Sequence, residues 1–183
     1  MQILLVADIF GQTSALKQLA TSLPCNTIIV DPYQGQLLNF DNEQHAYQYF
    51  NQHIGLSSYS QILAKTIDSL NANTIIVAFS IGASATWLLS ESMPSHINKV
   101  MAFYGSQIRH HISVLPQLPF ALTLASSEPH YSVATLAKTL AVKNNVSVVI
   151  ADHLHGFMNL HSVNFNQHAY NKYLQQIIAA ISR

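Results

Sequence analysis

The sequence predicts an α/β protein built on an open, mostly parallel six-stranded sheet with helices on both faces. Short β-branched and apolar runs alternate with longer stretches in which apolar residues recur at helical spacing. The first strand, helix and second strand together occupy about thirty residues, the length of a right-handed βαβ unit. At 183 residues, without a Pro- or Gly-rich linker, the chain is expected to form a single domain spanning 1–183.

Each element follows from a local pattern. Runs dominated by Ile, Val, Leu and Phe predict buried strands. The predicted strands are residues 2–7, 27–30, 75–79, 99–104, 119–125 and 146–151. Apolar residues at i, i+3, i+4 and i+7 predict helices. The predicted helices are residues 16–23, 59–70, 83–89, 133–140 and 170–181, with a shorter one near 43–52 in a segment rich in Gln, Asn and aromatic residues.

Composition excludes several classes of function. Charged residues make up only 9% of the chain, net charge is zero and no Lys/Arg cluster occurs, so nucleic acid and membranes are not expected partners. The apolar run at the start of the chain is interrupted by Asp8, which excludes a signal peptide or transmembrane helix there. Cys25 is the only cysteine, so no internal disulfide forms. We expect a cytoplasmic protein without a cofactor.

The most informative stretch lies where the third predicted strand turns into a helix. It reads Ala78-Phe79-Ser80-Ile81-Gly82. A serine at such a corner can serve as a nucleophile exposed at the sheet edge, provided that the residues two before and two after it are small. Here an alanine and a glycine satisfy that demand. The structural alternative for Ser80 is an ordinary helix cap.

Two later loops supply the groups that a serine nucleophile needs. A serine hydroxyl requires an imidazole to accept its proton and a carboxylate to orient that imidazole. Glu128 follows the fifth predicted strand and His155 follows the sixth, so both are expected at the same sheet edge as Ser80. Asp152 is the alternative acid, and Glu128 would then be a solvated loop residue.

These motifs together resemble the dienelactone hydrolase branch of the α/β-hydrolases, in a short form with a serine nucleophile. The stretch 78–82 resembles the family's nucleophile elbow, usually written G-x-S-x-G. Further matching segments are Asp8-Ile9-Phe10-Gly11, Asp31-Pro32-Tyr33, Tyr104-Gly105 and, most specifically, His155-Gly156-Phe157. The resemblance implies a minimal α/β-hydrolase fold, a catalytic triad of Ser80, Glu128 and His155, and an oxyanion hole formed by the backbone N–H groups of Ile9 and Ile81. Departures are Ala78 in place of the first glycine, Glu in place of the usual Asp, and serine in place of the cysteine of dienelactone hydrolase itself.

Further residues at the same edge are candidates for a substrate pocket. They are Asp8, Phe10, Tyr104, Arg109 and Phe157. Asp8 is either a cap at the end of its strand or a partner near the nucleophile. Arg109 either binds a substrate carboxylate or belongs to a solvated loop. The ten histidines do not form a recognised metal-binding spacing, so no metal site is predicted.

The leading hypothesis is a serine hydrolase of small carboxylic esters or thioesters that acts through an acyl-enzyme. One alternative is a catalytically silent α/β-hydrolase-fold binding protein. The other is a flavodoxin-like module in which the loop from Phe10 to Ser14 holds a phosphate. The sequence does not indicate an oligomeric state.

Overall fold

A computed structural model describes residues 1–182, which contain a six-stranded, entirely parallel sheet in the order β2-β1-β3-β4-β5-β6. The strands are β1 Gln2–Val6, β2 Asn26–Val30, β3 Thr74–Phe79, β4 Ile97–Phe103, β5 Phe120–Leu124 and β6 Val146–Ile150. All six lie where the sequence predicts them. The predicted fold class is therefore confirmed, and the sheet is parallel throughout.

Helices cover both faces of the sheet. They are α1 Ser14–Ser22, α2 Glu43–His53, α3 Gly55–Asp68, α4 Ile81–Leu89, α5 Val133–Ala141 and α6 Gln167–Ile181. α1 and α6 pack on one face, where Leu19 and Tyr173 join the core. α2 to α5 pack on the other face, where Trp87 and Leu63 are fully buried. Because successive side chains of a strand point to opposite faces, the buried strand β3 contributes to both cores.

The segment with the weakest sequence pattern is also helical. Asn42 caps α2 by accepting a hydrogen bond from the N–H of His45 at 2.9 Å. In α3, the Tyr59 hydroxyl donates to the carbonyl of Ala7 at 2.9 Å, which fastens this helix beneath the end of β1. A short 3₁₀ helix at Ser106–His110, after β4, was not predicted.

In the described part of the chain, no helix has the length and apolar character needed to cross a bilayer. The loops that carry the candidate residues all follow the carboxyl ends of parallel strands. Such ends meet at one edge of the sheet, which is where open α/β sheets form their sites.

Candidate active site

Ser80 lies at the turn between β3 and α4, and its backbone is strained. Its φ of 50° and ψ of −115° fall in a region that residues other than glycine rarely adopt. Such a conformation costs roughly 1–3 kcal/mol and persists only where surrounding structure enforces it. Here the Ser80 N–H donates to the carbonyl of Phe103 at 2.9 Å, and its carbonyl accepts from the N–H of Ser84 at 3.1 Å. A serine that served only as a helix cap would not need this geometry.

The two small residues of the elbow have unequal roles. At Gly82, an added Cβ would lie under 3.0 Å from the backbone carbonyl oxygens of Ala7 and Val6. Backbone atoms of a buried strand cannot move aside easily, so glycine is required there. Ala78 fits with its side chain fully buried in β3. The turn therefore tolerates alanine at the first position of the motif.

The side chains of Ser80, His155 and Glu128 form one hydrogen-bonded chain. Ser80 Oγ lies 2.9 Å from His155 Nε2, and His155 Nδ1 lies 2.7 Å from Glu128 Oε1. Both distances suit hydrogen bonds. With Nδ1 donating to the carboxylate, Nε2 carries the lone pair that can accept the serine proton.

Glu128, rather than Asp152, contacts the histidine. The Glu128 side chain is only 11% exposed and that of His155 is 21% exposed, so the pair is sheltered from bulk water. A backbone bridge between Glu128 and Tyr131 shapes the loop that presents the carboxylate. Asp152 is exposed and forms no side-chain hydrogen bond with His155 within residues 1–182.

The loop that carries His155 is held on both sides. Gly156 has a φ of +83°, and a Cβ at this position would meet Ser162 at under 3.0 Å. The side-chain amide of Asn164 donates to the His155 carbonyl at 2.9 Å. The Tyr104 ring packs against the imidazole with centroids 5.0 Å apart. These contacts fix the direction in which the imidazole points.

The two N–H groups predicted to form an oxyanion hole border the same cleft as Ser80. Ile9 belongs to the loop after β1, and Ile81 is the first residue of α4. Neither N–H donates to a protein acceptor in the structure of residues 1–182. The Ile81 N–H is one of the unpaired donors at a helix N-terminus, where the local potential favours negative charge.

An open cleft of about 640 Å³ lies in front of Ser80 and His155. Besides these two residues it is bordered by the loop of residues 127–131 that carries Glu128, called the acid loop, by the 3₁₀ segment after β4 and by the start of α2. Polar and charged side chains that sequence reasoning did not assign to it are Glu43, Gln44, Tyr47, Ser106, Gln107, Ser127, His130, Tyr131 and Asn164. They lie in loops and on helix faces without a local motif, so no pattern in the sequence identifies them.

A second, much smaller cavity of about 30 Å³ lies beside the loop after β1, which we call the oxyanion loop because it contains Ile9, one of the two residues predicted to form the oxyanion hole. Asp8 borders it, and its carboxylate accepts hydrogen bonds from the Phe10 N–H at 2.9 Å and from the side-chain amide of Asn159. Burial raises the pKa of Asp8 to about 6, although both hydrogen bonds and the nearby His155 oppose the rise. Asp8 thus caps the end of its strand without touching Ser80.

The structure divides the five residues that were expected to border a substrate pocket. Arg109 borders the open cleft. Asp8 and Tyr104 border the small cavity instead. Phe10 borders neither space, is 8% exposed and stacks on His161. Phe157 is fully buried against Tyr104 and Tyr173, because the turn at Gly156 directs it into the core.

Of the other histidines of residues 1–182, only His130 borders the open cleft. His153 packs on Phe157, and the His111 carbonyl accepts from the indole of Trp87. Within residues 1–182, no three His, Cys, Asp or Glu side chains are grouped so that they could hold a metal ion. In the loop considered for phosphate binding, the Thr13 hydroxyl caps α1 by accepting from Leu16 at 3.2 Å.

Comparisons with known proteins place this arrangement in context. No family model matches the chain. A Bacillus subtilis protein without an assigned function, YczH, is 29% identical over 182 residues, which cover 96% of this chain and 89% of that protein. A dienelactone hydrolase-like promiscuous phosphotriesterase from metagenomic libraries superposes with a TM-score of 0.69 at 11% identity, over 99% of this chain and 85% of that structure. Dienelactone hydrolase from Anabaena variabilis superposes with a TM-score of 0.69 at 14% identity, over 97% and 83%.

The chain has the α/β-hydrolase fold. The likeness to dienelactone hydrolase-like structures expected from the motifs is thus confirmed at the level of the fold. Ser80 lies at a strand-to-helix corner of this fold, between β3 and α4.

Proposed function

We propose that this protein is a serine hydrolase that cleaves small carboxylic esters or thioesters through an acyl-enzyme. The observation that carries the proposal is the continuous hydrogen-bonded chain from Ser80 Oγ through His155 to Glu128. It is supported by the strained backbone of Ser80, which projects the hydroxyl at the end of a buried strand. The structurally similar proteins named above include hydrolases of this fold.

In the proposed reaction, Ser80 Oγ attacks the substrate carbonyl carbon while His155 Nε2 takes the hydroxyl proton. Glu128 stabilises the resulting imidazolium and holds its orientation. The oxyanion of the tetrahedral intermediate accepts hydrogen bonds from the N–H groups of Ile9 and Ile81, where each such donor is worth about 3–4 kcal/mol. His155 then protonates the departing alcohol or thiol. Water, activated by the same imidazole, releases the acid from Ser80.

The open cleft favours small substrates. Its volume of about 640 Å³ lies within the range of small-molecule sites. The cleft surface is mainly apolar, with Ile9, Pro129 and Leu154 among the residues that border it, and it is interrupted by polar groups such as those of Gln107 and Arg109. A short acyl chain with a polar leaving group fits this mixture better than a long lipid chain.

The proposal is tested with a fluorophosphonate probe, which labels only activated serines. The wild type should be labelled, and both Ser80→Ala and His155→Ala should lose labelling. Ser127→Ala is the matched control, because this serine borders the same cleft without a hydrogen bond to His155. Circular dichroism establishes that each variant is folded.

A folded wild type that remains unlabelled would exclude an activated serine and favour the silent binding protein. Labelling that survives Ser80→Ala would place the nucleophile elsewhere. Labelling that vanishes only in Ser80→Ala and His155→Ala justifies screening short-chain p-nitrophenyl esters and thioesters.

A further inference from the structure

We propose that Arg109 is a specificity residue that selects esters or thioesters carrying an anionic group, which the guanidinium binds as the scissile carbonyl reaches Ser80. This inference rests on the proposed hydrolase function. It names the chemistry of the substrate: a carboxylate or phosphate on one side of the ester bond.

The placement of Arg109 is unusual for this chain. Only 9% of residues are charged, and the sequence has two arginines, Arg109 and Arg183. Arg109 borders the cleft that contains Ser80 and His155, and none of the lysines of the described chain does so. Among the arginine and lysine side chains of residues 1–182, Arg109 is therefore the one at the site of the proposed chemistry.

The guanidinium is held in place but is not neutralised. Arg109 Nη1 donates to the carbonyl of Ser106 at 2.7 Å, and the guanidinium carbon lies 5.1 Å from the centre of the Tyr131 ring. Within residues 1–182, Arg109 forms no ion pair with Asp or Glu. The remaining N–H groups of a guanidinium form a planar fork suited to carboxylate and phosphate.

This preorganisation lowers the cost of binding an anion. A free arginine loses side-chain freedom when it binds, whereas Arg109 is already fixed by a backbone carbonyl and an aromatic ring. The ring lies next to Glu128 in the chain fold, because Tyr131 pairs with Glu128 through a backbone bridge. The anion site is thus on the acid-loop side of the cleft.

The cleft also carries the other sign of charge. Glu43, at the start of α2, borders the cleft together with Ile9, and its charge contributes to the raised pKa of Asp8. Glu128 is engaged by His155. A substrate with one anionic end should therefore bind in a single orientation, with that end toward Arg109 and away from Glu43.

The experiment compares kcat/KM for pairs of esters that differ only in charge. Mono-p-nitrophenyl adipate against p-nitrophenyl hexanoate tests a carboxylate on the acyl side. Monoacetylglycerol phosphate against monoacetylglycerol tests a phosphate on the alcohol side. The wild type should favour the anionic member of at least one pair, and the pair concerned identifies the position and kind of anion.

Arg109→Gln should lower the anionic-to-neutral ratio of kcat/KM at least tenfold, mainly through KM, and Arg109→Lys should restore part of it. Glu43→Gln should raise the ratio, because it removes a repelling charge. Lys172→Gln is the matched control: Lys172 also lies over a tyrosine ring, at 5.4 Å from the centre of Tyr173, but does not border the cleft. The ratio should be unchanged in this variant.

A wild type without preference for the anion in either pair would overturn the inference, while leaving the hydrolase proposal intact. An equal loss on charged and neutral esters in Arg109→Gln would do the same, since it indicates that Arg109 only holds the loop. Failure of the hydrolase proposal is recognised separately, by absent probe labelling and absent turnover.

A binding measurement tests whether Arg109 binds an anion, even if no ester is hydrolysed. Adipate and glycerol phosphate are titrated into Ser80→Ala by calorimetry, and Arg109→Gln in that background should weaken the binding at least tenfold. Absence of binding at millimolar concentrations of both anions would contradict the inference.

Discussion

The loop after β1 borders two spaces that differ in volume and in lining, with Ile9 at one and Asp8 at the other. One is the open cleft of about 640 Å³, bordered by Ser80, Glu43 and Arg109. The other is the cavity of about 30 Å³, bordered by Asp8, Tyr104 and buried apolar side chains. The open cleft can admit a substrate, whereas the small cavity can admit little more than a water molecule. We infer that the reaction takes place in the open cleft, and that the contacts around the small cavity hold the oxyanion loop in position.

The carboxylates of the two spaces show the same division. Glu128 hydrogen-bonds directly to the imidazole at 2.7 Å. Asp8 bonds instead to the Phe10 N–H and to Asn159, so it joins the oxyanion loop to the loop after the histidine. One carboxylate should act directly on the proton transfer, and the other mainly on the position of the loops, with a weaker effect of its charge on the imidazole. Substitutions of the two carboxylates and of their partners test this division.

Loss of the Glu128 carboxylate, at the open cleft, should have the largest effect on activity. Glu128→Gln keeps the shape but removes the charge that stabilises the imidazolium, so kcat should fall by about 10²–10⁴-fold. The measurement is steady-state hydrolysis of a short-chain ester. Asp152→Asn is the control and should retain activity, because the exposed Asp152 does not bond to His155. The opposite ranking of the two variants would make Asp152 the acid.

The next largest effect should be the loss of stability caused by an added methyl group at Gly82, in the turn between β3 and α4. Gly82→Ala places a methyl group against the carbonyl oxygens of Ala7 and Val6, and should lower the free energy of unfolding by about 3 kcal/mol or more. Ala78→Gly, the change toward the usual motif, should cost only about 1 kcal/mol. Urea unfolding measures both. Equal losses of stability in the two variants would mean that the turn shifts easily to accommodate the added methyl group.

Removing the charge of Asp8, the carboxylate at the small cavity, should stabilise the protein at neutral pH. The pKa of Asp8 is about 6 when folded, against 3.8 as the ordinary value, so the folded state binds this proton more tightly. Stability from this group is therefore highest at low pH and falls as pH rises from about 4 to about 6. Asp8→Asn should remove that fall, with a gain of up to about 3 kcal/mol at pH 8 relative to wild type.

The same variant should lose activity. The Asp8 charge interacts favourably with His155 when the imidazole is protonated, so kcat at pH 8 should fall severalfold while KM changes little. Urea unfolding of both proteins at pH 4.5 and pH 8 gives the stability difference, and ester hydrolysis gives the kinetic one. A stability difference that is independent of pH would contradict a raised pKa of Asp8.

The smallest effects should come from the two asparagines that support these spaces. Asn159→Ala removes a hydrogen bond to ionised Asp8 and should cost about 1–2 kcal/mol at pH 8, but less at pH 4.5. Asn164→Ala removes a hydrogen bond to the His155 carbonyl, a neutral group. Its cost of about 1 kcal/mol should be the same at both pH values. If the two variants lost stability in the same way at both pH values, the surroundings of the small cavity would not differ from those of the open cleft in their dependence on charge.

Much of this architecture could be predicted because it rests on local signals. The alternation of strands and helices follows from hydrophobic periodicity, and all six strands occur where it places them. The rule that parallel strands share one edge for their carboxyl ends then brings Ser80, Glu128 and His155 to the same region. The turn at Gly156 has a local signal too, since its φ of +83° favours glycine.

Other features depended on contacts that no local pattern encodes. The Asp8 and Asn159 side chains are 151 residues apart in the sequence and meet in the fold. The same holds for the contact of Arg109 with the Tyr131 ring, and for the burial of Phe157 against Tyr104 and Tyr173. The sequence by itself determined the sheet, its helices and the edge at which chemistry is expected, because these depend on neighbours along the chain. Only the tertiary structure decided which side chains face the cleft and which carboxylate meets the histidine, because those depend on packing between distant segments.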